Sequence, residues 1–301
     1  MSPPTDSPPA AKENKHPERK RTFNPAERYL GGVNSLPPAP TLLSELLVLF
    51  KNLDQDIDKV VGMISYEPAL TAQIHRTCNS AYYAGEQPPS DIFEAVSRIG
   101  FYQVYCLVVS YFGAKTTTMP GTAKGVDVDA LWRHAVAAAV SASLVAEEAG
   151  QIKAMGFTAG LLHDIGKLVL ASGEREAYAR VIERARFESV PLSGLERTAF
   201  GIDHAELGGE LLDRWKLPPE IVTAVRYHHE LEAAPVDKEL AAAVQIGDVI
   251  AHQLFTGSAN TGLLKTSDVP WQILQMSPDD LPRLLARSRS EMENVKEMLD
   301  L

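Results

Sequence analysis

The chain has 301 residues, of which 45% are hydrophobic, enough to bury the core of one or two globular domains. A net charge of -10 argues against general nucleic-acid binding, which needs a basic surface to displace counterions. Two cysteines, Cys78 and Cys106, lie in apolar stretches without CxxC spacing, so neither a zinc knuckle nor a disulfide framework is indicated, and reduced thiols fit a cytoplasmic protein.

Residues 1–27 are rich in proline, serine and charge. Such a stretch cannot bury enough apolar area to fold, so a disordered tail is predicted. Its basic cluster (Lys15, Arg19, Lys20, Arg21) reads as solvated, and it has no apolar signal core. Helical text follows. In "LPPAPTLLSELLVLFKNL" a proline stop precedes Thr41 as N-cap, then Leu42, Leu43, Leu46, Leu47 and Phe50 recur at helical spacing. "DQDIDKVVGMISYEP" repeats the plan, with acids in its first turn and Pro68 closing it. "PALTAQIHRTCNSAYY" and "SDIFEAVSRIGFYQVYCLVVSYFG" read as further helices, the second capped by Ser90 or Asp91, and Asn79 and Ser80 can cap a helix start near Ala81. The small, polar stretch Thr116 to Asp129, broken by Pro120, Gly121 and Gly125, is the best internal boundary.

Beyond it, amphipathic helices are predicted at 129–149, 154–171, 174–188, 193–199, 203–215, 218–230, 237–255 and about 278–299. No alternating strand pattern and no 30–40-residue repeat is present, so the predicted fold is all-α, a multi-helical bundle. The longest apolar run, Ala135 to Ala146, is alanine-rich and bounded by His134 and Glu147; it reads as a packed helix, not a membrane span. The expected organisation is the tail 1–27, a domain at 28–260 with lobes 28–115 and 126–255, and a C-terminal helical extension 261–301.

The segment "GLLHDIGKLVL", Gly160 to Leu170, poses an energetic question. His163, Asp164 and Lys167 stand among apolar neighbours, and each costs free energy to desolvate unless it finds a partner. Companions occur on other predicted helices: His134 in "LWRHAVAAAV", His204 in "DHAELGGELL", His228 and His229 in "RYHHE", and Asp248 in "QIGDVIAHQ", with His252 one turn beyond. Imidazoles and carboxylates together suit zinc, manganese or iron, and a bundle that turns such side chains inward is an established way to build a metal site. Adjacent ligands on one helix diverge by about 100°, so His163 and Asp164 can share a site only if neighbouring helices supply the rest. Lys167 shares their face, where it can clamp a phosphate or protonate a leaving oxygen. Gly166 permits close approach of another backbone.

The order His134, His163–Asp164, Asp248 resembles the HD superfamily of metal-dependent phosphohydrolases, and "HDIGK" with His204 and His228–His229 resembles its HD-GYP branch. The first half is similar to the HDOD (HD-related output domain) family: "LPPAP" at Leu36 to Pro40, "EPALTAQIHRTCNSAYY" at Glu67 to Tyr83 and "IFEAVSRIGFYQVYCLVV" at Ile92 to Val109. The resemblance spans roughly residues 28–230. It implies an all-helical bacterial signalling module working through protein partners, in a family whose members have often lost the HD ligands. This chain keeps nearly the whole set. After His228–His229 it reads "ELEAAPVDKEL", without the Gly-Tyr-Pro loop, so that branch's substrate contacts do not carry over.

Two functional expectations follow, beside a purely structural third in which the polar residues form only a hydrogen-bonded core network left over from an ancestral site. In one, the chain is a regulatory HDOD module working through protein contacts, with a divalent-metal site that is mainly structural or that senses a nucleotide or other phosphorylated ligand. In the other it is an active phosphohydrolase. There His134, His163, Asp164 and Asp248 hold one metal, and His204 with His228 or His229 holds a second. Asp164 bridges the two, and Lys167 stabilises the phosphate or leaving oxygen as an activated water attacks phosphorus in line.

Overall fold

The computed structural model describes residues 25–31, 45–49, 57–65, 67–80, 82, 83, 85, 87–117, 127–256 and 267–299. Regular structure among these residues is helical throughout, as the periodicity predicts. The expected cap at Thr41 and most of the boundary at Thr116 to Asp129 lie outside them. Residues 45–49 are helical, with Leu46 and Leu47 buried.

The first half holds α1 (Pro25–Leu30), α2 (Ile57–Ile64), α3 (Pro68–Cys78), α4 (Ile92–Ile99) and α5 (Phe101–Thr117). Pro68 opens α3, where its missing N–H costs nothing. Asp91 caps α4 by accepting from the Glu94 amide, while the Glu94 carboxylate accepts from Ser90. Among the described residues Asn79 and Ser80 start no helix; Asn79 ends α3, its side chain donating to His75 O. Residues 90–113, read as one helix, are two helices meeting at 106°. The break is Gly100, whose φ of +94° an L side chain rarely adopts.

The centre of the molecule is α6 (Val128–Glu148), started by Asp127, whose carboxylate accepts from Ala130 N. Every residue from Ala135 to Ala146 is buried. Their small side chains let two helices come close, α7 (Lys153–Leu162) and α13 (Lys238–Thr256). A Cβ on Gly160 of α7 would lie 2.7 Å from Ala138 O, and one on Gly247 of α13 would lie 2.6 Å from Ala142 N. The alanine stripe therefore sets the spacing that brings His134, the end of α7 and Asp248 together. Between α7 and α13 the chain forms α8 (Ile165–Gly173), α9 (Arg175–Glu188), α10 (Leu192–Phe200), α11 (His204–Arg214) and α12 (Pro219–Tyr227).

One hydrophobic cluster runs from Ala26 and Tyr29 through Val104, Leu170 and Ile246 to Trp271 and Val295. Each fully buried Leu or Ile in it contributes about 1.5–3 kcal/mol. The C-terminal helices α14 (Val269–Ile273) and α15 (Leu281–Leu299) pack onto α6 and α13, with Trp271 buried and Arg283 forked onto the Glu148 carboxylate. Helix α1 crosses the expected tail boundary at residue 27 and packs on α8 and α11: Tyr29 is buried, Arg28 pairs with Glu174 and Glu27 with Arg214. No single helix among the described residues is long and apolar enough to cross a membrane. Cys78 and Cys106 are free and buried.

Candidate metal centre

The helix expected over 154–171 stops at Leu162 and restarts at Ile165. His163 keeps helical dihedrals, whereas Asp164 leaves them at φ -97°, ψ 8°. This break removes the angular divergence of adjacent residues on a continuous helix, and His163 Nε2 lies 3.4 Å from Asp164 Oδ2. The restart is fixed by α11. A Cβ on Gly166 would stand 2.0 Å from His204 O, so only glycine lets α8 lie against the start of α11.

A first group of donors gathers at the end of α7. His134 Nε2 is 2.9 Å from Asp248 Oδ1 and 3.9 Å from Asp164 Oδ2, and His163 Nε2 is 3.6 Å from Asp248 Oδ1. His163 donates its Nδ1–H to Gly160 O at 2.7 Å, which leaves Nε2 for the site. His252, one turn after Asp248, places Nδ1 at 3.1 Å from Asp248 Oδ1 on the half-exposed side.

A second group lies on the other side of Asp164. His204 Nε2 is 3.4 Å from Asp164 Oδ1 and 2.9 Å from His229 Nε2. The helix expected over 218–230 ends at Tyr227, which puts His228 and His229 in the turn beyond it. His228 donates Nδ1–H to Val225 O at 2.7 Å and its ring is 3.9 Å from that of His229. Asp164 thus presents one oxygen to each group. Lys167 Nζ donates to Asp164 Oδ2 at 2.6 Å and keeps about a fifth of its side chain exposed. All seven donors expected from the sequence, His134, His163, Asp164, His204, His228, His229 and Asp248, meet in this one region, with Lys167 at its edge.

The electrostatics reflect crowding of buried charge. Burial raises the carboxyl pKa of Asp164, yet His163 and Lys167 beside it outweigh burial and hold it well below the usual range. Asp248 is likewise held down against burial by His134, His163 and His252. Burial opposes charge on His163, but Asp164 and Asp248 lift its pKa to about 10. Burial and neighbouring imidazoles keep His228 well below its normal value and bring His229 to about 3. His228 and His229 are therefore neutral imidazoles, the form that ligates metals.

These residues fit a divalent cation. His134 Nε2, His228 Nε2 and Asp248 Oδ1 are buried without a hydrogen-bond partner. His134 Nε2 and Asp248 Oδ1 are only 2.9 Å apart, yet they are not aligned as donor and acceptor. Donors about 2.1 Å from one cation in octahedral geometry stand about 3 Å from one another, as these do. The triads His134–His163–Asp164, His134–Asp248–His252 and His204–His228–His229 each hold their donor atoms within 4.8 Å.

Sequence reasoning noted His252 without giving it a role, although its spacing of four from Asp248 was readable as a shared helix face. It missed Glu196 and Tyr178. Glu196 is fully buried, accepts from Tyr178 OH at 2.7 Å and faces His204. A glutamate within an amphipathic helix carries no local sign of burial. Beside the first group, a cavity of about 30 Å³ is lined by Gly113, Trp132, Leu161, Ile165 and Asp164. It is apolar except at Asp164 and joins the site to α5.

The profile of the HDOD domain matches residues 36–231. The match stops short of Asp248, which joins the cluster through the fold. A curated protein of Treponema pallidum (strain Nichols), itself uncharacterised, is 27% identical over 205 residues; the alignment covers 67% of this chain and 39% of that protein, so this chain spans well under half of that relative. An HDOD domain protein of unknown function from Geobacter sulfurreducens is similar in structure, at 23% identity and a TM-score of 0.72 over 92% of this chain and 96% of that one. A protein from Shewanella amazonensis SB2B, provisionally named a phosphohydrolase, is similar at 24% identity and a TM-score of 0.69 over 91% and 97% of the two chains. At these identities the likeness to solved structures carries the fold alone.

Proposed function

The chain belongs to the HDOD domain family, and from that premise we propose that it is a signalling or regulatory module whose bundle holds one or two divalent cations and recognises a phosphorylated ligand beside them. The supporting observation is the convergence of seven imidazole and carboxylate residues, with His134 Nε2, His228 Nε2 and Asp248 Oδ1 buried and without a hydrogen-bond partner. His134, His163, Asp164 and Asp248 hold the first cation, and His204, His228 and His229 the second, with Asp164 between them. Iron, manganese and zinc suit this mixture of donors. A bound cation supplies Lewis-acid attraction for phosphate oxygens and acidifies water. Lys167 offers ammonium donors to the same oxygens from the rim. A nucleotide or another phosphorylated molecule fits this chemistry, and the output passes to protein partners of a signalling pathway in the cytoplasm.

A second reading, a metal-dependent phosphohydrolase, is favoured by one specific observation. Asp164 faces both donor groups while Lys167 stands 2.6 Å from it, an arrangement able to orient a phosphoryl group and hold a proton for its leaving oxygen. The two readings separate in one experiment. Protein purified without chelator is analysed for metals, then offered phosphodiesters, nucleotides and aryl phosphates. Bound metal without turnover supports regulation. Turnover lost together with metal in His163→Ala and Asp164→Ala supports hydrolysis. A wild type that retains and takes up no metal refutes both.

A further inference from the structure

Glu196 lies on α10, outside the donor set, and is fully buried. Its Oε2 accepts the His204 amide at 2.9 Å and the His204 Nδ1–H at 2.5 Å, and its Oε1 accepts Tyr178 OH at 2.7 Å. A buried carboxylate is costly to desolvate unless such partners meet it. The next residue, Arg197, reaches the other way. Its Nη2 is 2.7 Å from the Oδ2 of buried Asp203, the N-cap of α11, and its Nη1 pairs with Glu230, which follows His229 directly. Two consecutive residues of α10 thus grip the start of His204's helix and the turn that carries His228 and His229.

The imidazole partners differ in kind. His163 and His228 give their Nδ1–H to main-chain carbonyls, whereas His204 gives its own to a carboxylate. A carboxylate in that place fixes the tautomer, aims the lone pair of Nε2 at the site and strengthens the ring as a ligand. We infer that Glu196 is the positioning residue of the second cation position, and that this position depends on the Glu196–Arg197 pair while the first does not. The inference rests on the metal reading above. The first group is independent because its donors come from α6, α13 and the end of α7, which are held by the alanine stripe.

The test uses the full chain, stripped by chelator and titrated with Co²⁺, followed by calorimetry and the visible absorption of the bound ion. The wild type is expected to take two ions. Glu196→Gln preserves volume and a hydrogen-bond acceptor but removes the charge. It is expected to weaken the second ion about tenfold to a hundredfold and leave the first unchanged, with Glu196→Asp recovering part of the loss. In the metal-free protein, ¹⁵N-edited spectra of the His204 ring should show a proton fixed on Nδ1 in the wild type and a mixed tautomer in Glu196→Gln. Should Glu196→Gln not fold, Tyr178→Phe removes one donor to the carboxylate without touching His204, and a smaller weakening of the second ion is expected. Two ions of wild-type affinity in Glu196→Gln, or equal weakening of both, overturns the inference alone. A wild type that binds no Co²⁺ overturns the metal reading and this inference with it.

Discussion

Gly166→Ala tests whether the docking of α8 on α11 builds the centre. The added Cβ would lie 2.0 Å from His204 O, 2.8 Å from His204 C and 2.9 Å from Gly208 N, all main-chain atoms. An ordinary carbon–oxygen contact is about 3.3 Å, so the helices must part by roughly 1 Å. Replacing glycine by alanine in a helix otherwise gains about 0.5–1 kcal/mol. Overpacking costs about 1–3 kcal/mol and reaches the upper end where only backbone can yield. The clash wins, and a net loss of about 2 kcal/mol follows, lowering Tm by roughly 2–4 °C per kcal/mol. The same displacement carries His204 away from Asp164 Oδ1, now 3.4 Å from its Nε2. Urea unfolding should show the reduced stability, and Co²⁺ titration should show loss of the second ion with retention of the first. A variant as stable as the wild type that binds both ions refutes the reasoning.

Three further outcomes are expected. Burial lowers the His163 pKa and the two carboxylates more than restore it, to about 10, so the ring is protonated at neutral pH without metal. A cation must displace that proton, and affinity at the first group should rise about tenfold per pH unit between about pH 6 and 8; a flat calorimetric profile across that window contradicts the assignment. The sign for the metal-free fold is opposite: the raised pKa stabilises it fully below about pH 6.5, and that contribution is lost as pH climbs through about 10. Tyr105 OH shares a buried hydrogen bond with Thr158 between α5 and α7, and Thr158 keeps a second bond to Ala154 O. Tyr105→Phe should therefore cost only about 0.5–1.5 kcal/mol in urea unfolding; a loss well above that range means the hydroxyl does more than tie the two helices.

The helix class and the order of donors were legible because both rest on local text: apolar spacing, caps such as Asp91 and Asp127, and polar groups stranded among apolar ones. What the text hid lies at helix ends. Leu161, Leu162, Ile165, Leu168 and Val169 continue one apolar pattern straight through the break at Asp164, and Ile99 and Phe101 do the same across Gly100. Periodicity reports which side of a helix is buried, not where its hydrogen bonding stops. His163 ends α7, Asp164 precedes α8, His204 opens α11, and His228 and His229 follow α12. Ends suit donors for a physical reason. There the main chain can leave helical dihedrals for one residue, so neighbours such as His163 and Asp164 can face the same point, and carbonyls such as Gly160 O and Val225 O can fix an imidazole. Glu196 was hidden for the opposite reason. It sits inside a helix whose pattern looks solvent-facing, and its burial exists only once α10 closes over His204. The residues that gather at the candidate centre were readable from chemistry, whereas Glu196, which accepts from His204, was readable only from packing.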